Sequence, residues 1–229
     1  MEKHPHLAKA ALFDAIAQVA AALATGRRAE IIDLLAQGER MVEQVAQELQ
    51  QSVANTSHHL QALHRAGLVT RRRQGARVLY RLAGPEVEVL WVSLRDVAAA
   101  LRDDFARLAS AYLGELDALA VVSRRELLQL QAAGQVTIID VRPREEYRQG
   151  HVSGAISVPL SELDRFPPPE GRVLVAYCRG PYCAFAPAAV RQLRARGFAA
   201  RRLEEGFPEW RRAELAVALG DEVEAAPPG

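Results

Sequence analysis

The chain has 229 residues, 49% of them apolar and 25% charged, and 29 Lys plus Arg stand against 28 Asp plus Glu for a formal net charge of +1. This composition excludes a disordered chain and a uniformly basic nucleic-acid binder, so any affinity for phosphate must come from local clustering of charge. The start, Met1-Glu2-Lys3-His4-Pro5-His6, lacks a secretory pattern and no run has the apolar length of a membrane span, so a soluble cytoplasmic protein with no membrane partner is expected.

In chain order, helices are predicted over about 7–24, 28–37, 41–50 and 53–66, with Ser52 as N-cap and Gly67 as C-cap of the fourth. Strands near 68–73 and 77–82 flank the turn Gln74-Gly75-Ala76. From Pro85 one long helix is expected, because Val87, Leu90, Leu94, Val97, Leu101, Phe105, Leu108, Tyr112, Leu116 and Leu119 recur at steps of three or four. Such a stripe would run roughly 50 Å. A small domain cannot cover it alone, so a homodimer built on this helix, with the Ala-rich first helix beside it, is expected. After Val121 strand and helix alternate: strands at 136–140, 155–158, 173–177 and 200–203, and helices through 144–149, 184–196 and 208–212. That is an α/β unit with a mostly parallel sheet. The acidic, Pro-rich end reads as a disordered tail.

Between Glu48 and Glu86 there is no acidic residue, while Arg65, Arg71, Arg72, Arg73, Arg77 and Arg81 all lie in that window. Helix, short turn, helix and Arg-rich hairpin is the order in which a winged helix meets a duplex. Asn55, Thr56, Ser57, His58 and His59, at the start of the fourth helix, are placed to face a major groove, with Leu60, Leu63 and Leu68 turned inward. The arginines would flank phosphates or let the turn probe a minor groove. His58 and His59 diverge by about 100° on a helix and make a poor chelate, so no metal site is assigned there.

The run Ser57-His58-His59-Leu60-Gln61-Ala62-Leu63-His64-Arg65-Ala66-Gly67-Leu68-Val69, followed by Arg71-Arg72-Arg73-Gln74-Gly75 and Val78-Leu79-Tyr80-Arg81-Leu82, closely resembles the recognition helix and wing of ArsR-type winged-helix repressors. The resemblance implies a dimeric repressor that leaves a double-stranded operator when an inducer binds. Residues 41–50 lack the cysteines of the arsenic- and cadmium-responsive members, and the long helix lacks the Asp/His set of the zinc-responsive ones.

The only two cysteines bracket the loop Cys178-Arg179-Gly180-Pro181-Tyr182-Cys183-Ala184, between a buried-strand pattern and a helix. A thiol at a strand end, followed by backbone N–H groups leading into a helix N-terminus, sits where a thiolate is favoured, and Cys178 is therefore read as nucleophilic or sensing. Together with Asp140-Val141-Arg142-Pro143, Gly150-His151-Val152-Ser153-Gly154-Ala155-Ile156 and Glu205-Gly206-Phe207-Pro208-Glu209-Trp210, this loop resembles a rhodanese domain. The resemblance implies that Cys178 takes sulfane sulfur as a persulfide, within a cradle made by the amides of Arg179 to Ala184. Arg179 is the loop's one cation, suited to favouring thiolate or binding an anionic donor. Asp140 and Arg142 are read as an ion pair fixing the sheet end, and His151 as structural. Cys183 stands where many thiosulfate-using rhodaneses carry arginine, which weakens the case for thiosulfate turnover and supplies a resolving thiol.

The expected fold is α+β with two domains: a winged helix-turn-helix over 1–118, an α/β rhodanese-like domain with a mostly parallel sheet over 119–219, and a disordered tail over 220–229. The expected function is a DNA-binding repressor whose second domain senses reactive sulfur species or oxidants through Cys178 and Cys183, with no cofactor. Two alternatives stay open: a sulfurtransferase with a DNA-binding domain, and a repressor responding to arsenite or another soft metal at the two thiols.

Overall fold

The computed structural model describes residues 5–114, 120–169 and 171–221. It divides into two units, Met1–Ala100 and Leu101–Gly229. The first contains α1 (Pro5–Ala22), α2 (Gly26–Leu35), β1 (Arg40–Met41), α3 (Val42–Glu48), α4 (Val53–Arg65), β2 (Val69–Gln74), β3 (Arg77–Leu82) and α5 (Pro85–Leu101). Local chemistry sets the ends of α4. The Ser52 hydroxyl accepts the Asn55 N–H at 3.2 Å, satisfying one of the N-terminal donors. Beyond its C-terminus Gly67 takes a left-handed φ of 76°, which lets the Leu68 N–H reach back to the Leu63 carbonyl at 3.0 Å. Ile31, Ile32, Leu35, Val45, Leu60, Leu63, Val69 and Tyr80 then meet in one core. β1 pairs with β3, Arg40 opposite Tyr80; two residues are too few for alternation to announce a strand.

The single long helix expected from 87 to 119 is not formed. α5 stops at Leu101, and α6 (Phe105–Leu113) begins after Arg102-Asp103-Asp104. Aspartate competes for backbone hydrogen bonds and favours helix starts over interiors, and Arg102 folds onto Asp104 at 3.0 Å. Periodicity continued across a break that falls at Arg102-Asp103-Asp104. Leu116 and Leu119 lie outside the described residues. Leu90, Leu94 and Val97 on α5, and Leu12, Phe13 and Ile16 on α1, are 38 to 60% exposed.

The second unit continues with β4 (Val121–Val122), α7 (Arg124–Ala132), β5 (Val136–Asp140), α8 (Arg144–Gln149), β6 (His151–Val152), β7 (Ile156–Ser157), a 3-10 turn (Leu160–Arg165), β8 (Val173–Tyr177), α9 (Phe185–Ala195), β9 (Ala200–Leu203), α10 (Phe207–Arg212) and β10 (Val217–Ala218). A parallel sheet runs in the order β4-β9-β8-β5-β7. One face packs α9 and the 3-10 turn through Leu163, Leu174, Ala176, Val190 and Leu193. The other packs α7 and α10 through Leu127, Val175, Phe207 and Trp210. Sequence patterning missed α7 because it buries only Leu127; its capped start, Ser123 accepting from Glu126 N–H, was the available signal. Since β5 and β8 are parallel and in register, Asp140 and Tyr177 end at the same edge, and Cys178 follows directly.

Gly220 and Asp221, expected as the start of a disordered tail, are tied to α8 instead: Gly220 donates to the Arg148 carbonyl at 2.9 Å and Asp221 pairs with the Arg148 guanidinium. The remaining tail lies outside the described residues. Among those described, no single helix is long and apolar enough to cross a membrane.

Candidate functional site

The DNA-facing set divides by helix geometry. Asn55, His58 and Arg65 are exposed on α4, and Ser57, half-buried, accepts from Gln61 at 3.3 Å. Thr56 does not face outward as expected: it is 1% exposed, because Thr56, Leu60 and Leu63 follow one another at steps of four and three and share the inner face. His59 is half-buried, and desolvation, reinforced by His58, Arg28 and Arg27, lowers its pKa. On the wing Arg71, Arg73, Arg77 and Arg81 are exposed. Arg72 is also exposed, but its guanidinium is gripped by both oxygens of Glu39, an acid outside the acid-free window that the sheet brings alongside. The hydrogen bond to Glu39 is also the main reason the Arg72 pKa is raised.

The thiol loop sits at the carboxyl end of β8. Cys178 is 2% exposed, while Cys183 keeps partial access to solvent; both are free thiols. The Cys178 sulfur lies 3.6 Å from the Cys183 carbonyl and 3.8 Å from that of Gly180, both within S–H donor reach. Burial pushes the Cys178 pKa well up, and the neighbouring Cys183 adds to the rise. Cys183 is held below the ordinary thiol value, first by the neighbouring Cys178, then by the backbone amides of Phe185 and Arg179 and the charge of Arg179 working against burial.

Arg179 is paired with an acid of α8. Its Nε and Nη2 bind the carboxylate of Glu146, which is wholly buried, at 2.6 to 3.1 Å, and its guanidinium stacks 5.0 Å from the Phe185 ring. Asp140 and Arg142 are both wholly buried and paired at 2.6 Å. Arg142 also donates to the Gly150 carbonyl at 2.7 Å, and Tyr177 donates its hydroxyl proton to Asp140 while accepting from Val152 N–H. Burial opposes the charge on Arg142, yet Asp140 beside it raises the pKa overall. His151 is buried, stacked 3.6 Å from the Tyr147 ring and bonded to that residue's carbonyl. These three brace the sheet end behind the thiol loop.

Four residues outside the expected site set lie against the loop or beside it. Gly206 lies against the loop so closely that an added Cβ would be 2.3 Å from Gly180 N. Phe105, opening α6, meets the Tyr182 ring edge-on at 5.2 Å, and Arg191 on α9 bonds the Leu113 carbonyl at 2.6 Å, so α6 leans on the loop at one end and on α9 at the other. Arg202 lies opposite Ala176 across β8 and β9, hence on the sheet face that Cys178 shares, with a buried Nε that has no hydrogen-bond partner among the described residues. Strand register was the missing information for Arg202. Gly206 and Phe105 required the tertiary fold.

A family model described as "Rhodanese-like domain" matches residues 123–213, and one described as "Bacterial regulatory protein, arsR family" matches residues 25–71. The HTH-type transcriptional regulator Rv0324 of Mycobacterium tuberculosis is 48% identical over 217 residues, covering 94% of this chain and 95% of that protein. The thiosulfate:glutathione sulfurtransferase of Homo sapiens is 46% identical over 43 residues, covering 19% of this chain and 37% of that protein. A homodimeric winged helix-turn-helix DNA-binding domain from Mycobacterium bovis is 47% identical, with a TM-score of 0.40, covering 42% of this chain and 88% of that domain.

Proposed function

The chain belongs to the ArsR-type winged-helix regulators that carry a C-terminal rhodanese-like domain, and from that premise we propose that it is a dimeric cytoplasmic repressor whose DNA binding is set by reactive sulfur species at Cys178 and Cys183. One observation carries the reading: a DNA-binding regulator holds two free thiols in one loop at the carboxyl end of β8, one sealed and one partly exposed. Such a pair is arranged to be loaded and then closed. The DNA end is α4, through Asn55 and His58, with Arg71, Arg73 and Arg77 on the wing meeting phosphate. The domains are taken as 1–118 and 119–219. The second copy covers the exposed apolar faces of α1 and α5, which a monomer would leave in water.

Tyr182 stands inside the segment that closing the pair would tighten, and it rests on Phe105 at the start of α6. α6 follows α5 after a three-residue break, so a shift at the loop reaches the chain segment leading to the DNA-binding unit. A loss of about 1–3 kcal/mol in operator affinity suffices for release. The test uses a duplex selected in vitro for binding to the reduced protein. Its affinity is measured with and without inorganic polysulfide, in the parent and in Cys178→Ser and Cys183→Ser. Polysulfide should weaken the parent complex and leave both variants' affinity close to the reduced level; equal binding throughout removes the sensor reading. Steady turnover of thiosulfate at about 1 s⁻¹ or more would instead favour the sulfurtransferase.

A further inference from the structure

We propose that Arg202, on β9, is a positioning residue that supplies positive charge to the sulfur of Cys178, first as a thiolate and then as a persulfide anion. The inference rests on the sulfur-sensing reading above and adds to it a residue from a neighbouring strand.

Strand register places this residue. Ala176 and Arg202 are partners across the parallel strands β8 and β9, so their side chains share one face of the sheet. Two positions on from Ala176, Cys178 returns to that face, and Ala176, Cys178 and Ala200 pack in the same core against α9. A cation entering such a core has to meet an anion or hydrogen-bond acceptors. Arg202 is half-buried, and its buried Nε has no hydrogen-bond partner among the described residues. The other two arginines of the site are committed elsewhere: Arg179 binds Glu146 and Arg142 binds Asp140, each on a wholly buried carboxylate that offsets its charge. At Arg202 desolvation opposes the charge, and Cys178 and then Glu204 favour it. Glu204 is exposed, so water screens its pull, and a charge on the sealed Cys178 is the stronger partner.

The chemistry needs such a cation twice. Burial disfavours a thiolate at Cys178, and Cys183 beside it adds to the cost, while the Asp140–Arg142 and Glu146–Arg179 pairs around the loop each sum to no net charge. Arg202 is then the group that lets the buried sulfur carry a negative charge. Loading transfers one sulfur: the Cys178 thiolate attacks a sulfur of hydrogen disulfide, HS–SH, the donor S–S bond breaks, HS⁻ leaves with the electron pair, and Cys178–S–SH remains. Loss of its proton to solvent gives the persulfide anion. The Arg202 Nε–H, with no other acceptor among the described residues, is the donor that this anion receives.

The experiment is peptide-mapped labelling of Cys178 by iodoacetamide, at low conversion and across a range of pH, in the full reduced chain. In Arg202→Met the whole profile should move to higher pH, with Cys178 labelled at least about tenfold more slowly at any pH below the midpoint, because a thiolate that loses a neighbouring cation rises in pKa. Arg202→Lys keeps the charge and should stay close to the parent profile. Arg202→Gln carries the same expectation as Arg202→Met and replaces it if that variant does not fold. Arg201→Met is the control: Arg201 lies opposite Val175 on the other face and binds Glu126, so its loss weakens the sheet without moving the Cys178 profile. With inorganic polysulfide, intact mass should show Arg202→Met taking up sulfur at least about tenfold more slowly than the parent at neutral pH. A parent-like profile in Arg202→Met, or an equal displacement in Arg201→Met, overturns the inference and leaves sulfur sensing in place. A parent chain that takes up no sulfur removes the sensing reading and the persulfide half of this one, and the labelling profile then decides the thiolate half alone.

Discussion

Replacing Gly206 by alanine perturbs the thiol loop from behind without touching either sulfur. The new Cβ would lie 2.3 Å from Gly180 N, 2.4 Å from Gly180 Cα and 2.5 Å from the Arg179 carbonyl carbon. All three are backbone atoms, so no side chain can swing away, and the two segments must part by roughly 1 Å to reach ordinary contact. The Phe207 N–H to Cys178 carbonyl bond, 3.1 Å long, spans the same gap and would be lost. Overpacking of this kind costs about 1–3 kcal/mol, which lowers the melting transition of a unit this size by several degrees. The opened loop should also expose Cys178, so that its labelling by N-ethylmaleimide approaches that of Cys183. Thermal unfolding of the full chain and peptide-mapped labelling measure both effects, and binding of the reduced protein to duplex DNA serves as the control, expected to be unchanged. Parent-like melting together with parent-like protection of Cys178 would refute the steric argument.

Cys178→Ala removes the neighbouring thiol that does most to hold the Cys183 thiol low; the Cys183 pKa should rise, and the pH profile of its alkylation should move to higher pH. Asp140→Asn leaves the wholly buried Arg142 guanidinium without its counter-charge and should destabilise the second unit by about 3–5 kcal/mol, read as a lowered denaturant midpoint. Asn55→Ala should weaken specific DNA binding by about 1–3 kcal/mol, while Thr56→Val should leave it unchanged, since the Thr56 hydroxyl is buried and has no partner among the described residues. Phe105→Ala removes the ring contact with Tyr182 and should leave sulfur loading at the parent rate while reducing polysulfide-driven release of DNA; release at the parent level would exclude this route.

The order of chemistry along the chain was legible without coordinates. The acid-free window with its arginines, the Ser52 cap, the Gly67 stop and the strand–cysteine–helix sequence are local properties, and local properties are written in neighbouring residues. So were Asp140 and Arg142, two residues apart on one strand end. The errors were of two kinds, local patterns misread and one contact made by a distant segment. Periodicity carried one helix across Asp103 and Asp104, position at the helix start placed Thr56 in the groove although its steps to Leu60 and Leu63 turn it inward, and only the sheet sets Arg72 on Glu39.

At the thiols the division is the same. Two cysteines five positions apart, followed by a helix, place both thiols in one loop. What surrounds each of them was decided by the folded chain, because burial and partners come from distant segments: the loop curls Cys178 inward against two carbonyls, leaves Cys183 partly exposed, and draws Arg179 onto Glu146, thirty-three residues away.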